Sequence, residues 1–170
     1  MSDFESALRA KLARNTELAE ERAQAEKEMD RAVAEREAEV QRRRQELQAA
    51  QRQRHGVLVE HLKTVTQQLK QSSPDEFIVR TGWTQSGEEF IAKLSTRGMN
   101  PARSLFIELD RDDDEVLARW TSAVGNSIEL WHLLEVNPDL LTQLVLQVAD
   151  QQLWHGRTSP PEFPQTNREP

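Results

Sequence analysis

The sequence predicts an α+β protein: a long N-terminal helix with the character of a coiled-coil stalk, then a small head built from an antiparallel β-meander and a C-terminal helix. Three observations predict it. No Gly precedes Gly56 and no Pro precedes Pro74. At Glu76 the apolar period changes from helical to two. Asn137-Pro138-Asp139 then reads as a helix start, with a capping Asn, a Pro at the first position and an acid at the positive end of the dipole.

The first element, residues 1–55, is drawn from Ala, Glu, Arg, Gln, Leu and Lys, the strongest helix formers. A helix of about 50 residues spans roughly 75 Å at about 1.5 Å per residue. It cannot bury its own surface, so it calls for a partner. A heptad register puts Asn15, Arg22, Met29 and Arg36 at a, and Leu18, Ala25 and Ala32 at d. A four-residue shift then carries the seam through Val40, Leu47, Arg54 and His61, with Arg43, Ala50 and Val57 between them. Such a shift locally unwinds a left-handed supercoil. Leu18, Met29, Val40 and Leu47 are the largest apolar side chains on this seam and the expected oligomer or partner contacts.

Gly56 reads as a C-cap or hinge. Residues 56–73 then carry a second amphipathic helix, either continuous with the first or bent at Gly56, and a linker. Its stripe of Val57, Leu58, His61, Leu62, Val65 and Leu69 is expected to pack on the head, and Ser72-Ser73-Pro74 ends it.

The head is expected over 74–155. Phe77, Val79, Thr81 and Trp83 alternate along a first strand. Phe90, Ala92 and Leu94 follow in a second, and Leu105, Ile107 and Leu109 in a third. Val116, Ala118 and Trp120 mark a fourth. Residues 127–136 fit a fifth strand through Ile128, Leu130, His132, Leu134 and Val136. A helix capped by Asn126 with Glu129 is the alternative. The last helix is expected to run to about Trp154, with Leu141, Leu144, Val145 and Val148 inward. Residues 156–170, with Pro160, Pro161, Pro164 and Pro170, read as a disordered Pro-rich tail. Within it, Pro160-Pro161-Glu162-Phe163-Pro164 is a weaker candidate for a docking peptide.

The net charge of −7 is unevenly spread: −4 over residues 1–40, +5 over 41–72 and −8 over 73–170. Arg42, Arg43, Arg44, Arg52 and Arg54 form a basic band, a candidate contact for phosphate or for an acidic partner. Asp110, Asp112 and Asp114 match the first ligand positions of a calcium loop. Glu115 then stands where the loop needs Gly, and the reading is a solvated hairpin turn. His132, alternating with apolar residues, is expected to be partly buried.

The absence of Cys excludes thiolate catalysis and disulfides. No catalytic motif is visible, no cofactor is implied and no small-molecule substrate suggests itself. Neither a signal peptide nor a membrane span is visible, so the expected location is the cytoplasm. The sequence thus points to a non-enzymatic protein–protein interaction protein, an adaptor, scaffold or assembly subunit. It would bind another protein, or itself, through the stalk. A nucleic-acid accessory protein using residues 42–54 is the alternative, and a small enzyme in the head the more remote one.

Overall fold

The computed structural model describes residues 2–166. It is an α+β structure whose first element, α1, is one helix over Ser2–Ser72. The chain divides into two compact units, residues 1–47 and residues 48–170. The first is helix alone. The second holds the end of α1 and the head.

Helix α1 runs through Gly56 without a cap, so the second helical segment is continuous with the first. A mid-helix Gly costs about 1 kcal/mol relative to Ala. Buried neighbours offset that cost: Leu58, Val59 and Leu62 are within 2% of full burial. The packed side is rotated from the expected stripe. Val57 is 47% exposed, whereas His55, Val59 and Thr66 are buried. Ser72 closes the helix, as expected.

Five strands follow, β1 (Phe77–Trp83), β2 (Glu89–Thr96), β3 (Arg103–Asp110), β4 (Glu115–Ser122) and β5 (Gly125–Trp131). They form one antiparallel meander in chain order. Strict alternation sets one face inward. Phe90, Ala92, Leu94, Leu105, Ile107, Leu109, Val116, Ala118 and Trp120 are all buried. Residues 111–114 turn between β3 and β4. The Asp110 Oδ1 atom accepts from the backbone N–H groups of Asp112 and Asp113, and Asp114 takes the left-handed conformation at φ 50°. Asp tolerates that region better than most side chains.

The ambiguous segment resolves into both kinds of structure. Its first part is β5, and Leu133–Glu135 form a short 3-10 turn, η1. The cap lies at His132, whose N–H donates to the Glu135 carboxylate at 3.0 Å, not at Asn126. Helix α2 (Pro138–Ala149) starts as the sequence predicts, with Asn137 Oδ1 accepting from Leu140 N–H at 2.9 Å. Its residues Leu141, Leu144, Val145 and Val148 are buried, and it packs over β2 and β3. It stops short of Trp154 because Asp150 caps a separate one-turn helix, α3 (Gln151–Trp154), by accepting from Leu153 N–H. Gly156, at φ 72°, ends that turn.

The described part of the tail, up to Thr166, has no regular secondary structure but is packed. Phe163 stacks on Trp120 at 5.8 Å and meets Trp131 edge-on at 6.1 Å. Gln147 Nε2 donates to the Glu162 carbonyl, and Pro161 is buried. The segment expected to be disordered therefore covers core tryptophans of its own chain. Residues 167–170, including Pro170, lie outside the described residues.

Candidate interaction surfaces

Along α1 up to Leu47, the eight large apolar residues are Phe4, Leu8, Leu12, Leu18, Met29, Val33, Val40 and Leu47. At about 100° per residue they all fall within one arc of about 120°. Seven of them are 45–69% exposed, and Leu18 is half-buried. Four of these were legible from the heptad seam. Phe4 and Leu8 fall at d and a of that same register carried back before Asn15, and Leu12 and Val33 fall at e beside it; a 3.6-residue period keeps all eight together. The spacing Leu18, Met29, Val40 is an 11-residue repeat, which favours straight or slightly right-handed packing.

The basic band is partly spent within the chain. Arg42 bridges Glu39 and Glu46, the second at 2.8 Å, and Arg43 reaches Glu39 at 3.1 Å. Arg42 beside Glu39 holds that carboxyl below its usual range. Arg54 donates to the Val136 carbonyl at 2.7 Å, tying α1 to the segment after η1. Arg44 and Arg52 make no ion pair among the described residues.

The three turn aspartates do not converge. Asp110 serves the backbone of its own turn. Asp112 pairs with Arg111 at 3.0 Å. Asp114 accepts from Leu133 N–H at 2.9 Å and lies 3.2 Å from His132 Nδ1. His132 is exposed, contrary to expectation, since its side chain leaves β5 at the strand end. Carboxylates do converge elsewhere: ligand oxygens of Glu89, Glu108 and Asp110 lie within 4.8 Å of one another. Register creates this cluster, because Glu89 faces Asp110 across β2–β3 and Glu108 is two residues along the same face. Burial, then the bond to Glu89, pushes the Glu108 carboxyl up. Only a correct hairpin register could have revealed these residues from sequence.

The sheet face turned away from the core shows three ordered rows. One is acidic: Glu89, Asp110 and Glu115. The next holds Ile91, Glu108, Leu117 and Leu130. The third holds Arg80, Lys93, Phe106, Arg119 and Ile128. Ile128 and Leu130 are 58% and 48% exposed. The Arg119 guanidinium lies 4.7 Å over the Phe106 ring. None of Arg80, Lys93 and Arg119 is ion-paired among the described residues.

Two further features belong to the head. A groove of about 620 Å³ between α1 and β1 is lined by Lys63, Thr66, Gln67, Lys70, Val79 and Thr81. His61 Nε2 bonds to Thr142 Oγ1 at 2.7 Å and links α1 to α2. The Thr142 hydroxyl also donates to the Pro138 carbonyl at 3.4 Å, and among the described residues no carboxylate bonds to His61 to orient it as a base. Among the described residues, no helix is long and apolar enough to cross a membrane. In comparisons with known proteins, no family model matches this chain, and no curated protein or solved structure is significantly similar to it.

Proposed function

We propose that this is a non-enzymatic interaction protein. In this reading α1, up to Leu47, packs along another helix, from a second copy or a partner protein, and the head offers a second binding surface. One observation carries the reading: the single apolar arc on a helix whose other faces are charged. Exposed large apolar side chains scattered singly need no explanation, but eight confined to one arc are not scattered. Its 11-residue spacing suits a weakly supercoiled pair. Asn15, Glu26 and Glu37 also fall within the arc; the cations Lys11, Arg22, Arg36 and Arg44 interrupt it and Arg43 borders it. These cations would select partners that offer acids or backbone carbonyls there.

Nucleic-acid binding is less favoured, because Arg42, Arg43 and Arg54 are already engaged within the chain. The test is light scattering on the full chain across a concentration series, with and without Met29→Glu plus Leu47→Glu. Both sites are exposed, so the variant keeps its helix by circular dichroism. The expected result is a complex heavier than 19.6 kDa, with itself or with a captured helical partner, that the double variant loses. Association unchanged in the variant refutes the proposal.

A further inference from the structure

We infer that the outer face of the sheet is a self-complementary surface that pairs with the same face of a second copy about a two-fold axis. The order of the rows carries the argument. The row of Ile91, Leu117 and Leu130 lies between an acidic row and a cationic one. A two-fold axis along that middle row, perpendicular to the strands, leaves each strand opposite its own copy. It also exchanges the two outer rows. Glu89 then faces Lys93 of the second copy, both on β2, and Glu115 faces Arg119, both on β4. The symmetry gives four opposed charge pairs, as an isologous interface requires.

Unrelieved charge in the single chain supports this arrangement. Acids gather at one end of the face, and Glu108 is raised by burial and by Glu89. At the other end Lys93 and Arg119 have no carboxylate among the described residues. Aligned sheets pack about 10 Å apart and about 30° askew. Strands β2 and β4 flank the central β3, so their long side chains stay within reach. The face is about 24 Å wide and about 25 Å long. It buries about 600 Å² per copy, at the lower end of specific interfaces. Glu108, on β3 in the axial row, is the one like-charge contact, and the four opposed pairs outnumber it.

The chain has no native Cys, so a single introduced one reports on the face. Leu117→Cys lies on the axis and opposes its own copy. A short bis-maleimide of about 8 Å, a span that fits sheets packed about 10 Å apart, is expected to join the full chain into covalent dimers through it. Thr64→Cys, exposed on α1, serves as the control. Adding Lys93→Glu with Arg119→Glu to Leu117→Cys is expected to cut the yield at least tenfold. So is Glu89→Lys with Glu115→Lys. Mixing these two variants restores it, because the four paired positions on β2 and β4 are then all acidic on one face and all basic on the other. The cross-link reads this face and not the stalk, so it separates this inference from the helix-packing proposal. Equal yields from Leu117→Cys and Thr64→Cys, or a Leu117→Cys yield indifferent to the charge variants, overturn the inference.

Discussion

Replacing Arg103 with Met tests how the head locks its last helices to the sheet. Arg103 is 2% exposed and has no carboxylate in contact. Its guanidinium instead reads carbonyls. Nε and Nη2 both donate to Val148, at 3.0 and 2.8 Å. Nη1 donates to Pro101 at 3.0 Å and to Gln151 Oε1 at 2.9 Å. Val148 lies in the last turn of α2, where carbonyls lack intrahelical partners and the dipole is negative. The guanidinium also sits 5.3 Å from the Trp154 ring centre. Met fills much of the volume but orphans the Val148 and Pro101 carbonyls, at about 1–3 kcal/mol each. The lost stacking adds about 1 kcal/mol. Against this, the substitution recovers part of the cost of burying a cation, a cost visible in the downward push of burial on the Arg103 pKa. The net expectation is a loss of about 2–4 kcal/mol. Arg103→Lys loses nearly as much, because an ammonium cannot fork to both carbonyls. Urea unfolding followed by Trp fluorescence reads it as a midpoint shift at constant slope. A change below about 0.5 kcal/mol for Arg103→Met would show that desolvation cancels the bonds and that the lock is geometric only.

Two further predictions concern the same unit. His55 is buried with Nε2–H donating to the Leu109 carbonyl at 2.9 Å. Burial, above all, lowers its folded pKa. Its contribution is therefore complete above the unfolded value of about 6.5 and is lost as pH falls below it toward the lowered folded value. The urea midpoint should fall more between pH 7.5 and 5.5 in the native chain than in His55→Gln, and equal slopes would refute the assignment. Phe163→Ala should cost about 2 kcal/mol, less than a fully buried Phe because the ring is half-buried. It should also shift Trp emission to the red and raise acrylamide quenching, since Trp120 and Trp131 lose their cover. Unchanged emission would mean the tail does not hold there in solution.

The long helix and the meander were legible because each rests on a local rule. Absence of Pro, and of Gly before Gly56, licenses α1, and alternation with turn residues licenses each hairpin. What the sequence hid depends on register or on distant contacts. Arg103 is in phase with Leu105, Ile107 and Leu109, and a cation in a core phase was a readable sign of a buried lock. Its acceptors on Val148 and Gln151, forty-odd residues further along the chain, were not readable. His55 and Val59 were missed because the sheet, not the helix pattern, decides which side of α1 is covered. Phe163 sits in a Pro-rich stretch that local rules read as disordered, and only its packing on Trp120 and Trp131 gives it a place.

The outer sheet face was also written in the sequence, in the phase usually given to polar residues. An antiparallel sheet with one wet face alternates apolar-in and polar-out. Here the outward phase holds Ile78, Ile91, Phe106, Leu117, Ile128 and Leu130. Strand propensity accounts for Ile and Phe on a solvated face, since β-branched and aromatic residues suit strands anywhere. It does not account for Leu117 and Leu130, which bring no comparable strand preference and cost solubility where they stand. They occupy the axial row, with Ile91, between the acids and the cations. Propensity alone would scatter leucines over the face without regard to charge. Their confinement to the row where a second copy would bury them is what a covered face requires.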